Sequence, residues 1–334
     1  MLSASMIERL AHRRVAVFGD SILDSFVVGG CTRLCREAPV PVIVKEEQRD
    51  CPGGAANTAA NLAALGAHVR LISVIGSDDA GGRLMRALER AGVDTSGVVR
   101  SRTKTPHKQR ILAGDEYVAR IDEGVGEDVD CGLHAAIAEH LARAIAECDV
   151  LVISDYALGC VCDETVAPVS MPGSNIRPPV VLDARDLVNA SAVGATLVTP
   201  NLEEACAATG NAVRTLAAPQ EFEELARAVR GLVGSGAVAV TLGGVGVAVA
   251  SQHESAFIPA PLVGVRHTVG AGDSFTAGVA LGLAAGCDLF DAVSLGVLAG
   301  SVSVTKPYTA VVTLPELCDT LKSVPTLPSA RACR

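Results

Sequence analysis

Short apolar runs, each stopping at a glycine, serine, aspartate, proline or other polar residue, recur along the chain. They are VAVFGD (15–20), VRLISVIG (69–76), DVLVISD (149–155), PVVLDAR (179–185), ATLVTPN (195–201) and AVAVTLG (237–243). Continuous rather than alternating hydrophobicity marks strands buried on both faces. Between them lie segments at helical spacing, GAANTAANLAALGA closed by Gly66 and DDAGGRLMRALERAG closed by Gly92. Each ends on the residue that most readily takes the left-handed backbone beyond a helix. Strands alternating with helices require a mostly parallel sheet covered on both sides, a doubly wound α/β fold. Two segments break the alternation, FVVGGCTRLCREAPVPVIVKEEQRD (26–50) and HKQRILAGDEYVARID (107–122), the second turning at Ala113-Gly114-Asp115. Both read as extended or hairpin chain at the edge of the main sheet: a lid over a ligand, a dimer surface or a surface insertion.

The 334 residues suffice for one large domain or two small ones, with no repeat and no low-complexity linker. With 49% hydrophobic and 19% charged residues and a net charge of -9, neither disorder nor a nucleic-acid surface is expected, and small-molecule chemistry fits better. The chain has no tryptophan and few other aromatics, so base-stacking platforms are not expected either. Eleven cysteines, an odd number scattered singly, read as reduced core thiols of a cytosolic protein. The pairs Cys31/Cys35 and Cys160/Cys162 have neither a second pair nor a histidine at zinc-finger spacing, which argues against a metal site. MLSASMIERLAHRR at the N-terminus has no apolar targeting core, and the apolar runs are glycine-broken and too short to span a membrane.

In open α/β sheets ligands bind beyond the carboxyl ends of the strands. That places Asp20, Asp24, Asp155, Asp183, Asn201 with Glu204, and Thr241 with Gly243 first among candidates. HTVGAGDSFTAG (267–278) would open a helix whose first N–H groups and dipole favour an anion, and Gly270 and Gly272 let a phosphate approach the backbone. Asp273 is then either the base that takes a proton from an acceptor hydroxyl or a helix-start acid complementing the dipole. Phe275 occupies the third small position of a dinucleotide fingerprint, and no Gly-Lys-Ser/Thr ending is present, so hydride transfer and P-loop chemistry are disfavoured. PGGAANTAANLAALG (52–66) sets Asn57 and Asn61 on one helix face, for a polyol or for close packing against a sheet. TPNLEEA (199–205) spaces Asn201 and Glu204 by three, suiting water-mediated magnesium or an ordinary helix cap. Arg33, Arg36, Lys108, Arg110 and Arg120 are concentrated in the two irregular segments of an otherwise acidic chain. They are there either to hold a phosphate on the acceptor or to keep a strand edge solvated.

Together PGGAANTAANLAALGA, TPNLEEA, TLGGVGV and TVGAGDSFTAG, in that order, resemble the ribokinase family, the PfkB carbohydrate kinases. The resemblance covers about residues 13 to 318. It implies a single ribokinase-like domain over 1–334, a three-layer doubly wound sheet with a small β lid formed by 26–50 and 107–122, and a homodimer made through that lid. It further implies ATP and Mg2+, with Asp273 as the base and the backbone amides of Gly270, Ala271, Gly272 and Asp273 supplying the anion hole. Asp20, Asp24, Gly53, Gly54, Asn57 and Asp155 would hold the sugar, and Arg33, Lys108, Arg110 and Arg120 its phosphate. Asn201 and Glu204 would organise the metal and the ATP phosphates, and Thr241, Gly243, Gly246 and Lys306 would border the nucleotide.

FGDSILD, REAPVPV, TPHKQRIL, VARIDEG and ISDYALG resemble the branch that phosphorylates D-glycero-β-D-manno-heptose 7-phosphate at O1. Kinases for another sugar, sugar phosphate or nucleoside, and a catalytically silent sugar-binding regulator, are the alternatives. The nucleotidyltransferase half carried by some proteins of that branch is not expected, because the chain ends soon after VVTLPEL. Four positions depart from the family pattern: His267 for an acid, Leu158 for a lysine, Arg185-Asp186 for lysine-glycine, and KPYTA (306–310) for KLGT. An imidazole supplies no negative charge, so weak or absent activation by potassium is expected, unless backbone carbonyls hold the ion and His267 points to solvent.

Overall fold

A computed structural model describes residues 6–7, 9–126, 129–170, 177–187, 193–212 and 218–323. The buried apolar runs form the centre of a nine-stranded sheet. It contains β1 (Arg14–Gly19), β4 (His68–Gly76), β5 (Asp94–Ser101), β8 (Val150–Asp155), β9 (Val180–Ala184), β10 (Leu197–Val198), β11 (Ala237–Thr241), β12 (Gly246–Ala250) and β13 (Ser255–Pro259). Their order is β13-β12-β11-β10-β9-β8-β1-β4-β5, parallel except for the antiparallel pairs β11/β12 and β12/β13. The expected strand at 195–201 shrinks to two residues, and β5, β12 and β13 complete the sheet without having been marked by a continuous apolar run.

Helices α1 (Ala55–Ala64), α2 (Asp79–Arg90), α7 (Ala271–Ala284), α8 (Leu289–Ser303) and α9 (Leu314–Ser323) cover one face. The other is covered by α3 (His134–Glu147), α4 (Asp163–Ser170), α5 (Leu202–Thr209) and α6 (Pro219–Val233). Both predicted helix ends hold, with Gly66 at φ 90° and Gly92 at φ 75° just past the caps. The two faces bury separate apolar clusters, one including Leu62, Leu71, Phe275 and Leu298, the other Phe18, Ile153, Leu225 and Val240.

The two irregular segments do not extend the main sheet. β2 (Ser21–Leu34), β3 (Pro41–Gly54), β6 (His107–Ala113) and β7 (Glu116–Glu123) form a separate sheet in the order β3-β2-β6-β7. Its hairpins β2/β3 and β6/β7 are antiparallel, and β2 joins β6 in parallel. β2 starts two residues after β1 ends, so the lid rises directly from the carboxyl end of a central strand. β1 lies between β4 and β8, and the strand order reverses there. Such a switch point opens a crevice at the carboxyl ends of the strands. Among the described residues no helix is long and apolar enough to cross a membrane, and all ten cysteines are unpaired. Only Cys160 and Cys206 are buried, whereas Cys31 and Cys131 are exposed, so the expectation of core thiols holds for part of the set.

Candidate active site

Asp273 lies in the first turn of α7, 5% exposed, at the switch point. Its Oδ2 accepts a hydrogen bond from Asn57 Nδ2 at 2.6 Å, and its Oδ1 accepts from Tyr156 Oη at 2.9 Å and from Thr58 Oγ1 at 3.3 Å. Burial raises its pKa to about 6, against the pull of the Asn57 and Tyr156 hydrogen bonds, and the nearby Asp24 charge adds to the rise. A carboxylate tuned in this way is ionised at neutral pH yet basic enough to accept a proton. The two helix openings are tied together: Asn61 Nδ2 donates to Asn57 Oδ1 at 3.1 Å, and Asn61 Oδ1 accepts from Ser274 Oγ and the Val312 N–H, both at 3.0 Å. Of the two amides on one face of α1, Asn57 therefore faces Asp273 and Asn61 joins α1 to α7.

Gly270 caps α7 with φ 82°, and a Cβ there would stand 2.7 Å from Asn57 Nδ2. Gly272 has open space where a Cβ would be. The Ala271 N–H donates to Thr268 O at 3.3 Å, which leaves the N–H groups of Gly270, Gly272 and Asp273 as the donors the turn could offer an anion. Beside them opens a cleft of about 400 Å3 walled by Val265, Phe275, Val297 and Val304 and floored by Thr241, Gly243 and Gly246. Gly243 also faces open space, at φ 59°. An apolar slot that ends on free amides at a helix start suits a planar base joined to an anionic tail.

On the other side of Asp273 the lid contributes charge. Arg110, 7% exposed, pairs with Asp24, whose Oδ2 also accepts from Thr309 Oγ1 at 3.3 Å. A Cβ on Gly53 would lie 2.6 Å from Asp24 Oδ2, and one on Gly54 (φ 59°) 2.5 Å from Asp20 O, so the glycine pair lets the end of β3 pass close to the Asp24 carboxylate and the Asp20 backbone just before α1 begins. Arg110, Tyr117, Arg120, Arg266 and His267 line a second cavity, of about 560 Å3. His267 stacks on Tyr308 with 5.8 Å between ring centres and meets Tyr117 edge-on at 6.3 Å, which joins the glycine turn to the lid.

Residues 13–317 match the pfkB family carbohydrate kinase domain. The chain belongs to the pfkB family. Members of this family are phosphotransferases that act on a sugar hydroxyl, and the chain is a carbohydrate kinase. It is 38% identical over 316 residues to the bifunctional protein HldE of Gluconobacter oxydans, covering 93% of this chain and 65% of that one. It is 37% identical over 317 residues to the bifunctional protein HldE of Caulobacter vibrioides, covering 94% and 64%. It thus spans less than two thirds of the length of these relatives. Phosphofructokinase-2 from Escherichia coli, in complex with substrates and products, superposes with a TM-score of 0.77 at 22% identity, over 93% of this chain and 99% of that one. Ribokinase from Thermotoga maritima gives 0.67, also at 22%, over 93% and 99%. At that identity the likeness shows the ribokinase-like fold alone.

Within this pfkB site several sequence expectations shift. The Asp20 carboxylate accepts from the N–H groups of Tyr156, Leu158 and Cys160 at 2.8, 3.1 and 3.0 Å and holds the loop after β8. Asp155 likewise accepts from the Ala157 N–H at 2.8 Å. Asn201 and Glu204 bond each other as a capping box, Asn201 Oδ1 from the Glu204 N–H and Glu204 Oε2 from the Asn201 N–H. Lys306 does not line the cleft; its Nζ donates to Glu316 and Val311 O and fastens the preceding loop to α9. Arg33 is exposed on the lid, and Arg120, though it reaches the second cavity, pairs with Asp122. Lys108 turns over the Tyr156 ring at 5.7 Å.

Tyr156 is the residue sequence reasoning missed. It stands one place beyond a strand-end aspartate in ISDYALG, and only the packing of α7 beside β8 brings its hydroxyl to Asp273. Arg266, one place before the marked histidine, was likewise passed over, as the other basic residues lining its cavity, Arg110 and Arg120, come from the lid.

Proposed function

We propose that the chain transfers the terminal phosphoryl group of ATP to O1 of D-glycero-β-D-manno-heptose 7-phosphate. The observation that carries this reading is the turn that leads into α7 and Asp273: Thr268 in it lines both an apolar cleft ending on free helix amides and a cavity holding Arg110, Arg120, Arg266 and His267. The cleft fits the nucleotide, and the basic cavity fits an acceptor that brings a phosphate of its own. The sugar hydroxyl loses its proton to Asp273 as its oxygen bonds to the phosphorus and the bond to the departing ADP oxygen breaks. The amides of Gly270, Gly272 and Asp273 face the charge that gathers on the transferring oxygens. Mg2+, when bound, neutralises phosphate charge; the carboxylates that fit it are Asp183 and Glu204, both pushed up by burial and by neighbouring carboxylates. The heptose branch is supported by REAPVPV, VARIDEG and ISDYALG and by the HldE relatives, while the shared length confines the proposal to a kinase part. Unpaired thiols fit a reducing cytoplasm. His267 brings no carboxylate to the glycine turn, and its stacking on Tyr308 does the steadying instead, so potassium is not required.

The test measures initial ADP release with heptose and with heptose 7-phosphate, each in potassium and in a bulky organic cation at equal ionic strength. Losing charge-assisted bonds of about 1.5–3 kcal/mol each predicts a preference of roughly 10²-fold or more in kcat/KM for the phosphorylated sugar. Equal efficiency with both sugars sinks the phosphate anchor, and strong potassium dependence sinks the role given to His267.

A further inference from the structure

The sequence places Cys160 and Cys162 without a histidine nearby, but the fold supplies one. His134 is the first residue of α3, Cys162 immediately precedes α4, and Glu164 lies in the first turn of α4. Cys162 Sγ is 3.8 Å from His134 Nδ1, and His134 Nδ1 is 3.9 Å from Glu164 Oε2. All three donor atoms lie within 4.8 Å of one another. In a tetrahedral zinc site with Zn–S of about 2.3 Å and Zn–N of about 2.0–2.1 Å, neighbouring donors stand roughly 3.3–3.6 Å apart. The observed spacings therefore close onto one ion with side-chain adjustments of a few tenths of an ångström for two of the donors and somewhat more for the third.

We propose that His134, Cys162 and Glu164 bind a borderline-soft divalent cation of the zinc type, apart from the kinase centre. The donor set is one thiolate, one imidazole and one carboxylate, the combination that zinc takes and magnesium does not, so the Mg2+ of catalysis does not compete for it. The cysteine is held for the purpose: Thr165 Oγ1 accepts from the Cys162 N–H at 3.0 Å and donates to Cys160 O at 2.9 Å. Glu164 has 69% of its side chain exposed, which gives the ion a way in and leaves the fourth position to water. Binding releases the Cys162 proton to solvent and forms the metal–sulfur bond, with no change of oxidation state. Cys162 ends the segment whose N–H groups at 156, 158 and 160 are fixed on Asp20 and whose Tyr156 reaches Asp273. An ion at this point fastens the far end of that segment, so it acts on the loop that positions the base and touches no reacting atom.

The test uses cobalt(II), then zinc, on the reduced full chain. Near one equivalent of cobalt should produce a thiolate charge-transfer band with tetrahedral visible bands, bleached by zinc and indifferent to excess magnesium. Cys162→Ser should lose the charge-transfer band, and His134→Gln should weaken binding at least about tenfold, the least that loss of a directly bound ligand should cost. Cys131→Ser and Cys31→Ser, which alter exposed thiols, should leave band and affinity unchanged. No band in the parent protein, or a band that survives in Cys162→Ser, overturns the site. Should Cys162→Ser fail to fold by circular dichroism, unchanged affinity in a folded His134→Gln overturns it equally.

Discussion

Asp273 is ionised only because its neighbours work against its burial. Tyr156 and Asn57 stabilise the charged form by hydrogen bonding, desolvation opposes it, and the balance comes to rest at about 6. Because the base must be unprotonated, kcat/KM should fall about tenfold per pH unit below that value, and Asp273→Asn should lower kcat at least about 10²-fold above it, with the gap closing as pH falls. Tyr156→Phe removes a donor to the carboxylate, so Asp273 should titrate higher. A lost charge-assisted bond of about 1.5 kcal/mol corresponds to roughly one pH unit. An upward move of the acid limb in Tyr156→Phe, by pH–rate profiles, checks this; an unmoved limb means the hydroxyl does not tune the base. The same shift acts on stability with a definite sign. A carboxyl raised on folding favours the fold fully below its unfolded value, and this contribution is lost as pH rises through about 6.

The glycines at the start of α7 have separable tasks. Gly270 takes positive φ against Asn57, so a side chain there disturbs the fold itself, whereas Gly272 faces open space with ordinary helical backbone. Gly272→Ala should leave the thermal midpoint unchanged or slightly raised, since alanine favours a helix over glycine by about 0.5–1 kcal/mol. Its methyl group should occupy the approach to the free amides and raise the nucleotide KM at least about tenfold. A variant with normal KM shows that no anion comes to this turn. The glycine-opened start of α7 was legible because neighbouring residues set it, while the base and the dipole-complementing acid stayed alternatives for Asp273. The capping box at Asn201/Glu204 was legible only as two alternatives, for the same spacing of three serves a cap and a metal. Asp20 was open in a related way: an aspartate at a strand end can face a ligand or hold its own loop, and the three N–H donors it accepts from come from residues 156–160, far along the chain.

Over the whole molecule, β7 is exposed along its full length, and Leu34, Val40, Val44, Tyr117 and Ile121 leave apolar surface on the lid at 45–61% exposure. A strand edge of that kind needs cover, and a second copy of the chain joined through the lid would provide it. Sedimentation should return a two-chain mass that falls to one chain in Val44→Asp/Ile121→Asp, and a single-chain mass for the parent rules the lid contact out. The sequence alone determined the parallel layers, the helix ends and the glycine turn that opens α7, because buried strands, left-handed caps and glycine-started helices are each set by residues close together in the chain. Tertiary structure decided that the lid is a sheet of its own, that Tyr156 reaches Asp273 across 117 residues, and that His134 meets Cys162 across 28. These depend on which strands and helices end side by side at the switch point, and such neighbourhood is fixed by packing two apolar faces rather than by spacing in the chain.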